Sequence, residues 1–343
     1  MSVPMCPVFG ECGGCCYQDI DYLEELSIKE KYVRDLFQEL SLSAQKFSSI
    51  IPSPEEYHYR NRLDLNLKKT KNGDVFIGFK SNKHNVIEVD TCYIAKKEIG
   101  EFFSTLKKEA IDKLTDKYKV ANLVVKTDDE GKVFWGGIGR RSLEMKEENY
   151  FWTTVCGNKI YYSLDTFFQA NLSILPRLFD ELFKLYDWDK ESIFYDLYGG
   201  VGLFGICMSK YVKKVVLIEE STTSLRMAHY NKQANNLSNF FVVEGRVEDR
   251  LGEIIDKNTL EGVQAAIIDP PRRGLSKESR EILVDMNLNA LFYLSCNPET
   301  LVRDLFDFVS KGWSINKVIP LDFFPKTKHV EVLVFLDRMG NGY

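Results

Sequence analysis

Ile193-Phe194-Tyr195-Asp196-Leu197-Tyr198-Gly199-Gly200-Val201-Gly202-Leu203-Phe204-Gly205 passes from an apolar run, through an acid, into a glycine-rich turn. Ile193 to Tyr198 reads as a buried strand, and Leu203 to Ser209 starts a helix. Without Cβ atoms, the glycines let a ligand approach the backbone where the strand feeds the helix. The alternation then continues. Val215 to Ile218 is a strand ending at Glu219-Glu220, and a helix follows from Thr222 to Asn236. Phe240 to Val243, Ala265 to Ile268 and Leu291 to Leu294 are further strands, with helices near 278–286 and 299–309. Ile315 to Pro320 and Val330 to Leu336 read as closing strands, an antiparallel pair at one edge. Strands alternating with helices predict an open, Rossmann-like α/β sheet.

Upstream, Thr166-Phe167-Phe168-Gln169-Ala170-Asn171 is expected to open a helix reaching Tyr186. Earlier still the period changes to two. Arg60 to Leu67 alternates, Asn72-Gly73 signals a hairpin, and Val75 to Phe79 and Val86 to Val89 follow. Lys96 to Tyr118 has helical spacing. Ala121 to Thr127, Lys132 to Gly137 and Phe151 to Val155 are strand-like. Leu23, Leu26, Tyr32, Val33, Leu36, Phe37 and Leu40 give residues 21–40 one apolar helix face.

Composition sets outer limits. The chain has 343 residues, 44% hydrophobic and 28% charged, enough for two or three domains. No apolar run is long enough to span a membrane, and no export signal opens the chain, so a cytoplasmic, monomeric protein is expected. The net charge of −5 argues against a surface that is basic throughout. Arg60 to His84 nevertheless holds seven Lys or Arg against Asp64 and Asp74, so Arg60 and Arg62 are candidate contacts to a polyanion.

Four of the eight cysteines fall between Cys6 and Cys16. Cys6, Cys12 and Cys15 are spaced as soft ligands for zinc or an iron–sulfur centre, with Gly13-Gly14 permitting a tight loop. A fourth thiolate comes either from Cys16 or from Cys92, which follows a strand-like run.

Three further stretches carry chemistry. Glu219 ends the next strand about 20 residues after the glycine turn, where a carboxylate can grip ribose hydroxyls. With Asp196 ahead of the glycines, this fits S-adenosylmethionine better than a dinucleotide. Asp269-Pro270-Pro271-Arg272 fixes an acid at a strand end with a stiffened loop. Leu291 to Leu294 runs into Ser295-Cys296-Asn297-Pro298, which puts a thiol at the sheet edge where open sheets bind ligands. In a strand, His329 and Glu331 would point the same way.

These motifs together, with Asp-Leu-Tyr-Gly-Gly-Val-Gly-Leu-Phe starting at Asp196 and Phe-Pro-x-Thr-x-His-Val-Glu ending at Glu331, resemble the RNA (uracil-5-)-methyltransferases. The resemblance includes Phe167-x-Gln169 and the N-terminal cysteines. It implies that Cys296 is the nucleophile and Glu331 the base. It implies that Gln169, Tyr198, Glu219 and Asp269 bind S-adenosylmethionine, with Phe167, Gln169 and Asp269 near the uracil. Cys6, Cys12, Cys15 and Cys92 resemble the ligands of the family's 4Fe–4S cluster. Leu203 departs from the family, many members of which carry Asn there. With no extra RNA-binding barrel ahead of the cysteines, the basic segment and Arg140-Arg141 are expected to contribute more to RNA contact.

The expected organisation is a cysteine-cluster and helical segment over 1–50, a small β-rich domain with one helix over 51–165, and a class I methyltransferase domain over 166–343. The resemblance to short, cluster-bearing enzymes favours ribosomal RNA as the partner. The alternatives are the same chemistry on transfer RNA and a non-enzymatic iron–sulfur RNA-binding protein.

Overall fold

The computed structural model describes residues 2–81, 85–114, 118–137, 146–257 and 264–338. Arg140, Arg141 and the end of the basic segment at 82–84 lie outside the described residues. The N-terminal stretch leads into helix α1 (Tyr22–Phe37). A five-stranded sheet then forms from β1 (Arg62–Lys69), β2 (Val75–Lys80), β3 (Val86–Glu88), β4 (Val120–Thr127) and β5 (Val133–Gly136), in the order β3-β2-β1-β4-β5. All its pairs are antiparallel. The alternation in β1 sends Leu63, Leu65 and Leu67 to one face. There they share a core with Ile99, Phe103 and Leu106 of α2 (Lys97–Asp112). Arg62 and Asp64 face the other way and pair at 2.7 Å.

After the hairpin of β6 (Phe151–Val155) and β7 (Asn158–Tyr162) comes α3 (Leu175–Leu185), then the large sheet. Its elements are β8 (Ile193–Leu197), α4 (Leu203–Met208), β9 (Lys214–Glu219), α5 (Thr222–Ala234), β10 (Phe240–Glu244), α6 (Val247–Lys257), β11 (Gln264–Ile268), α7 (Lys277–Asp285), β12 (Ala290–Ser295), α8 (Pro298–Ser310), β13 (Trp313–Leu321) and β14 (Glu331–Arg338). The strand order is β10-β9-β8-β11-β12-β14-β13. The strands from β10 to β12 run parallel, and β14 runs antiparallel to both its neighbours. The order reverses between β8 and β11, so the crevice at their C-terminal ends is the sheet's ligand position. Two apolar layers cover the faces, one built around Phe204, Ile206 and Phe292, the other around Leu251, Leu305 and Trp313.

Several expectations need correction. No helix begins at Thr166, because helix α3 starts only at Leu175, with Pro176 in its first turn. The preceding segment is held open by its polar side chains. Asn171 Nδ2 donates to Ser53 Oγ and to the Phe323 carbonyl. Lys126 Nζ donates to the carbonyls of Ser163 and Thr166 at 2.8 and 2.6 Å. Helix α2 ends at Asp112, short of Tyr118. The closing strands do form an antiparallel pair at one edge, with β13 outermost and β14 between it and β12. The two apolar layers also take in residues from earlier segments. Val33 and Phe37 of α1 belong to the layer of Leu305 and Trp313, while Phe151, Ile160 and Tyr162 of the hairpin belong to that of Phe204.

Candidate active site

The glycine turn has little freedom to be anything else. A Cβ on Gly199 would lie 2.6 Å from Leu217 Cγ, and one on Gly205 would lie 2.7 Å from Phe240. Gly202 has φ +96°, where an L side chain is strained. Asp196 is buried beneath the turn and accepts from the Gly205 N–H at 2.7 Å. Its role is to hold the start of α4. At the end of β9, the Glu219 carboxylate accepts from the backbone N–H groups of Gly200, Glu220 and Ser221 at 2.9, 3.0 and 2.7 Å. Three donors fix its direction and leave lone pairs for hydroxyls entering the crevice.

A cavity of about 1090 Å³ opens at this end of the sheet. The expected residues converge on it from separate elements: Tyr198 after β8, Glu219 from β9, Asp269 after β11, Cys296 after β12 and Glu331 at the start of β14. Phe167 and Gln169 reach it from the 163–171 loop, and Arg60 and Arg62 from the small sheet. The two adjacent phenylalanines divide their tasks. Phe168 is buried and stacks on Tyr162 with centroids 4.3 Å apart, whereas Phe167 is 67% exposed at the cavity. A stack of that kind adds about 0.5–1.5 kcal/mol beyond area burial and anchors the loop. The Tyr198 hydroxyl donates to Ser279 Oγ at 3.0 Å, and Tyr198 itself has φ +59°. Leu203 packs in the core and does not line the cavity. His329 precedes β14 instead of sharing the strand with Glu331, yet both line the cavity.

The acids and the thiol share one desolvated space. Burial, then the Glu331 and Asp269 carboxylates, push the Cys296 thiol up to about 11, with Arg272 opposing. Burial pushes Asp269 up to about 7, against the hydrogen bond from Gln169 Nε2 at 3.2 Å. Glu331 is 5% exposed, and burial followed by Asp269 raises it well above the carboxylate range. Burial and the cations around it, Arg272 first, lower His329 to about 4, so it is neutral near pH 7. Burial thus favours the protonated forms of Asp269 and Glu331. A cation entering beside Asp269 and Glu331 favours their ionised forms.

The loop ahead of Glu331 is clamped by residues that sequence reasoning passed over. Buried Lys29 of α1 bonds Glu25 and Asp322, each at 2.7 Å, and the Phe324 carbonyl at 3.1 Å. Glu25 accepts from the Lys326 N–H at 2.7 Å, where φ is +66°. The backbone N–H groups of Cys16 and Tyr17 donate to the Lys326 carbonyl. The available signal was a Glu25–Lys29 pair four residues apart on the helix flank bearing Leu26 and Val33.

Cys6, Cys12, Cys15 and Cys92 line a second cavity of about 160 Å³, while Cys16 is exposed and lies outside it. Buried Gln18 braces this loop by accepting from the Cys6 N–H at 3.0 Å. Among the described residues, no group of three or more His, Cys, Asp or Glu side chains could hold a metal ion as placed. The expected iron–sulfur centre is thus not supported by a formed ligand set. The four thiols share a chamber. Gly14 and Arg60 form a wall common to this chamber and the larger cavity. Among the described residues no helix is long and apolar enough to cross a membrane.

The sheet order, the glycine turn and the acid ending β9 define a class I S-adenosylmethionine-dependent methyltransferase fold. Residues 140–339 match the family described as tRNA (Uracil-5-)-methyltransferase. An uncharacterised RNA methyltransferase of Protochlamydia amoebophila is 28% identical, covering 97% of this chain and 90% of its own. One from Clostridium acetobutylicum is 29% identical, covering 98% and 84%. One from Thermotoga maritima is 29% identical, covering 97% and 84%. The crystal structure of Pyrococcus abyssi tRNA (uracil-54, C5)-methyltransferase with S-adenosyl-L-homocysteine has the same fold. It superposes with a TM-score of 0.75 at 22% identity, covering 96% of this chain and 86% of that one. The chain belongs to the tRNA (uracil-5-)-methyltransferase family, and it is an RNA uracil-5 methyltransferase that uses S-adenosylmethionine.

Proposed function

We propose that this enzyme methylates carbon 5 of a specific uridine in ribosomal RNA through a covalent bond from Cys296 to carbon 6. One observation carries this reading: a thiol, a buried carboxyl and a ribose-type carboxylate line the same cavity as Cys296, Glu331 and Glu219. Glu219 and Tyr198 fit the nucleoside part of the cofactor. When bound, S-adenosylmethionine supplies the methyl group on a cationic sulfonium.

Carbon 5 of uracil is a weak nucleophile. The Cys296 thiol, passing its proton to solvent in the open cavity, forms a bond from sulfur to carbon 6 and pushes the ring's electron pair toward carbon 5. Gln169 and Asp269 hold the polar edge of the ring, and Phe167 covers its face. Once carbon 5 is methylated, the Glu331 carboxylate takes its remaining proton. The electron pair of that C–H bond restores the double bond, and the carbon–sulfur bond breaks with its pair returning to Cys296. The target must leave its base stack to reach the thiol.

A 4Fe–4S group held by Cys6, Cys12, Cys15 and Cys92 belongs to this reading through the family resemblance and the chamber these four thiols share. Support for ribosomal over transfer RNA rests on this chamber and on the resemblance to short enzymes that carry the cluster.

The deciding experiment maps 5-methyluridine in cellular RNA with and without the gene. Loss of one ribosomal site, restored by the wild-type enzyme and not by Cys296→Ala, is the expected result. Loss from transfer RNA alone would move the substrate assignment, and full activity of Cys296→Ala would overturn the covalent route.

A further inference from the structure

A third cavity, of about 500 Å³, lies on the far side of Cys296. It shares Cys296, Arg272 and His329 with the large cavity, so the two adjoin at the thiol. One wall is helix α1 and the segment before it, the other the start of α8. Its lining is uneven in a specific way. Tyr17, Ile28, Tyr32 and Pro298 give flat, apolar surface, while Arg272 and Lys328 are exposed cations. Tyr32 is held by its hydroxyl, which donates to Glu299 Oε1 at 3.3 Å. Tyr17 is held by its backbone bond to Lys326. None of these groups has a task in the methyl transfer itself.

We propose that this cavity is a subsite for the nucleotide adjoining the target uridine. The inference rests on the proposed function, which places the target base at Cys296. A chain with one base at that thiol delivers its neighbour to the adjoining chamber. Aromatic faces suit a nucleobase of any sequence, and Arg272 and Lys328 suit the phosphate between the two nucleotides. Asn297 is engaged as the cap of α8, its Oδ1 accepting from the Glu299 N–H and its Nδ2 donating to the Arg272 carbonyl, so the subsite is expected to accept any base. The subsite would also hold the strand open after the target has flipped out.

The test uses a fluorescent single-stranded RNA with a central uridine, and copies of it with an abasic residue on the 5′ or the 3′ side. Binding is read by anisotropy and turnover by release of the carbon-5 proton. With the wild-type enzyme, one of the two abasic RNAs is expected to bind about tenfold more weakly. With a Tyr17→Ala/Tyr32→Ala variant, the intact RNA binds that weakly and the abasic copy loses nothing more. Additive losses from the variant and the abasic site, or an unchanged affinity of the variant, overturn the subsite. Titration with S-adenosyl-L-homocysteine verifies that the variant is folded. Lys328→Glu, a surface change, should weaken RNA binding severalfold without touching that titration, and an unchanged affinity counts against the proposal. Absence of turnover on a ribosomal RNA fragment bearing the uridine mapped in cells would sink the proposed function, while the anisotropy comparison would still decide the subsite.

Discussion

Gln169 Nε2 donates to Asp269 Oδ2 across 3.2 Å, joining the 163–171 loop to the end of the sheet. The bond lowers the Asp269 carboxyl against the larger effect of burial, which leaves it at about 7. Replacing Gln169 by Leu removes that donor. The carboxyl then rises further and is less ionised near neutral pH. The acidic limb of the kcat/KM profile should move to higher pH. Activity near pH 7 should fall about 10- to 100-fold, the scale of a hydrogen bond to a charged group. A profile with an unmoved acidic limb would separate Asp269 from the rate.

Asp269 and Glu331 are both raised by burial, which favours protons that a cationic ligand should expel. S-adenosylmethionine carries a sulfonium charge and S-adenosyl-L-homocysteine does not. Affinity for the first should therefore climb as pH rises through about 7, with little change for the second. Calorimetry in buffers of different ionisation enthalpy should show proton release only with the sulfonium. Equal proton counts for both ligands would place the sulfonium away from these carboxyls.

Glu331→Gln tests the order of steps. The amide keeps the volume and removes the base, so the Cys296 bond to carbon 6 should form and fail to resolve. Turnover is expected to drop about 10²- to 10⁴-fold. A protein–RNA adduct should accumulate on denaturing gels in the presence of S-adenosylmethionine. A loss of turnover with no adduct would move Glu331 to an earlier step.

The sequence signals that proved sufficient are local ones. The run from Ile193 to Gly205 carries its strand, turn and helix start within thirteen consecutive residues, because apolar burial and glycine geometry act at short range. Leu291 to Cys296 reads correctly for the same reason. Residues 166–174 misled because their conformation is imposed from a distance: Asn171 bonds Phe323 and Lys126 bonds Thr166, and neither partner is adjacent in the chain. Helix α6 went unread, its core positions Val247 and Leu251 being a sparse apolar signal. The clamp of Lys29 on Asp322 spans 293 positions, which no periodicity reports.

Lys126 is 1% exposed and is held by the carbonyls of Ser163 and Thr166. Burial, then Arg62, lowers it to about 7. A lysine lowered on folding binds fewer protons in the folded chain than in the unfolded one between that value and its ordinary 10.5. Its contribution to stability therefore grows as pH rises across that window and is flat below it. Lys126→Met removes both the titration and the two hydrogen bonds. The loss near pH 7 should be about 1–3 kcal/mol, the cost of leaving buried carbonyls unbonded. Urea unfolding at several pH values between neutral and alkaline should show wild-type stability climbing more steeply than that of the variant. KM for RNA should rise more than kcat falls, because the loop that Lys126 holds presents Phe167 and Gln169 to the cavity. Parallel stability curves would show that Lys126 keeps its proton on folding, and an unchanged KM would confine it to holding the loop's own backbone.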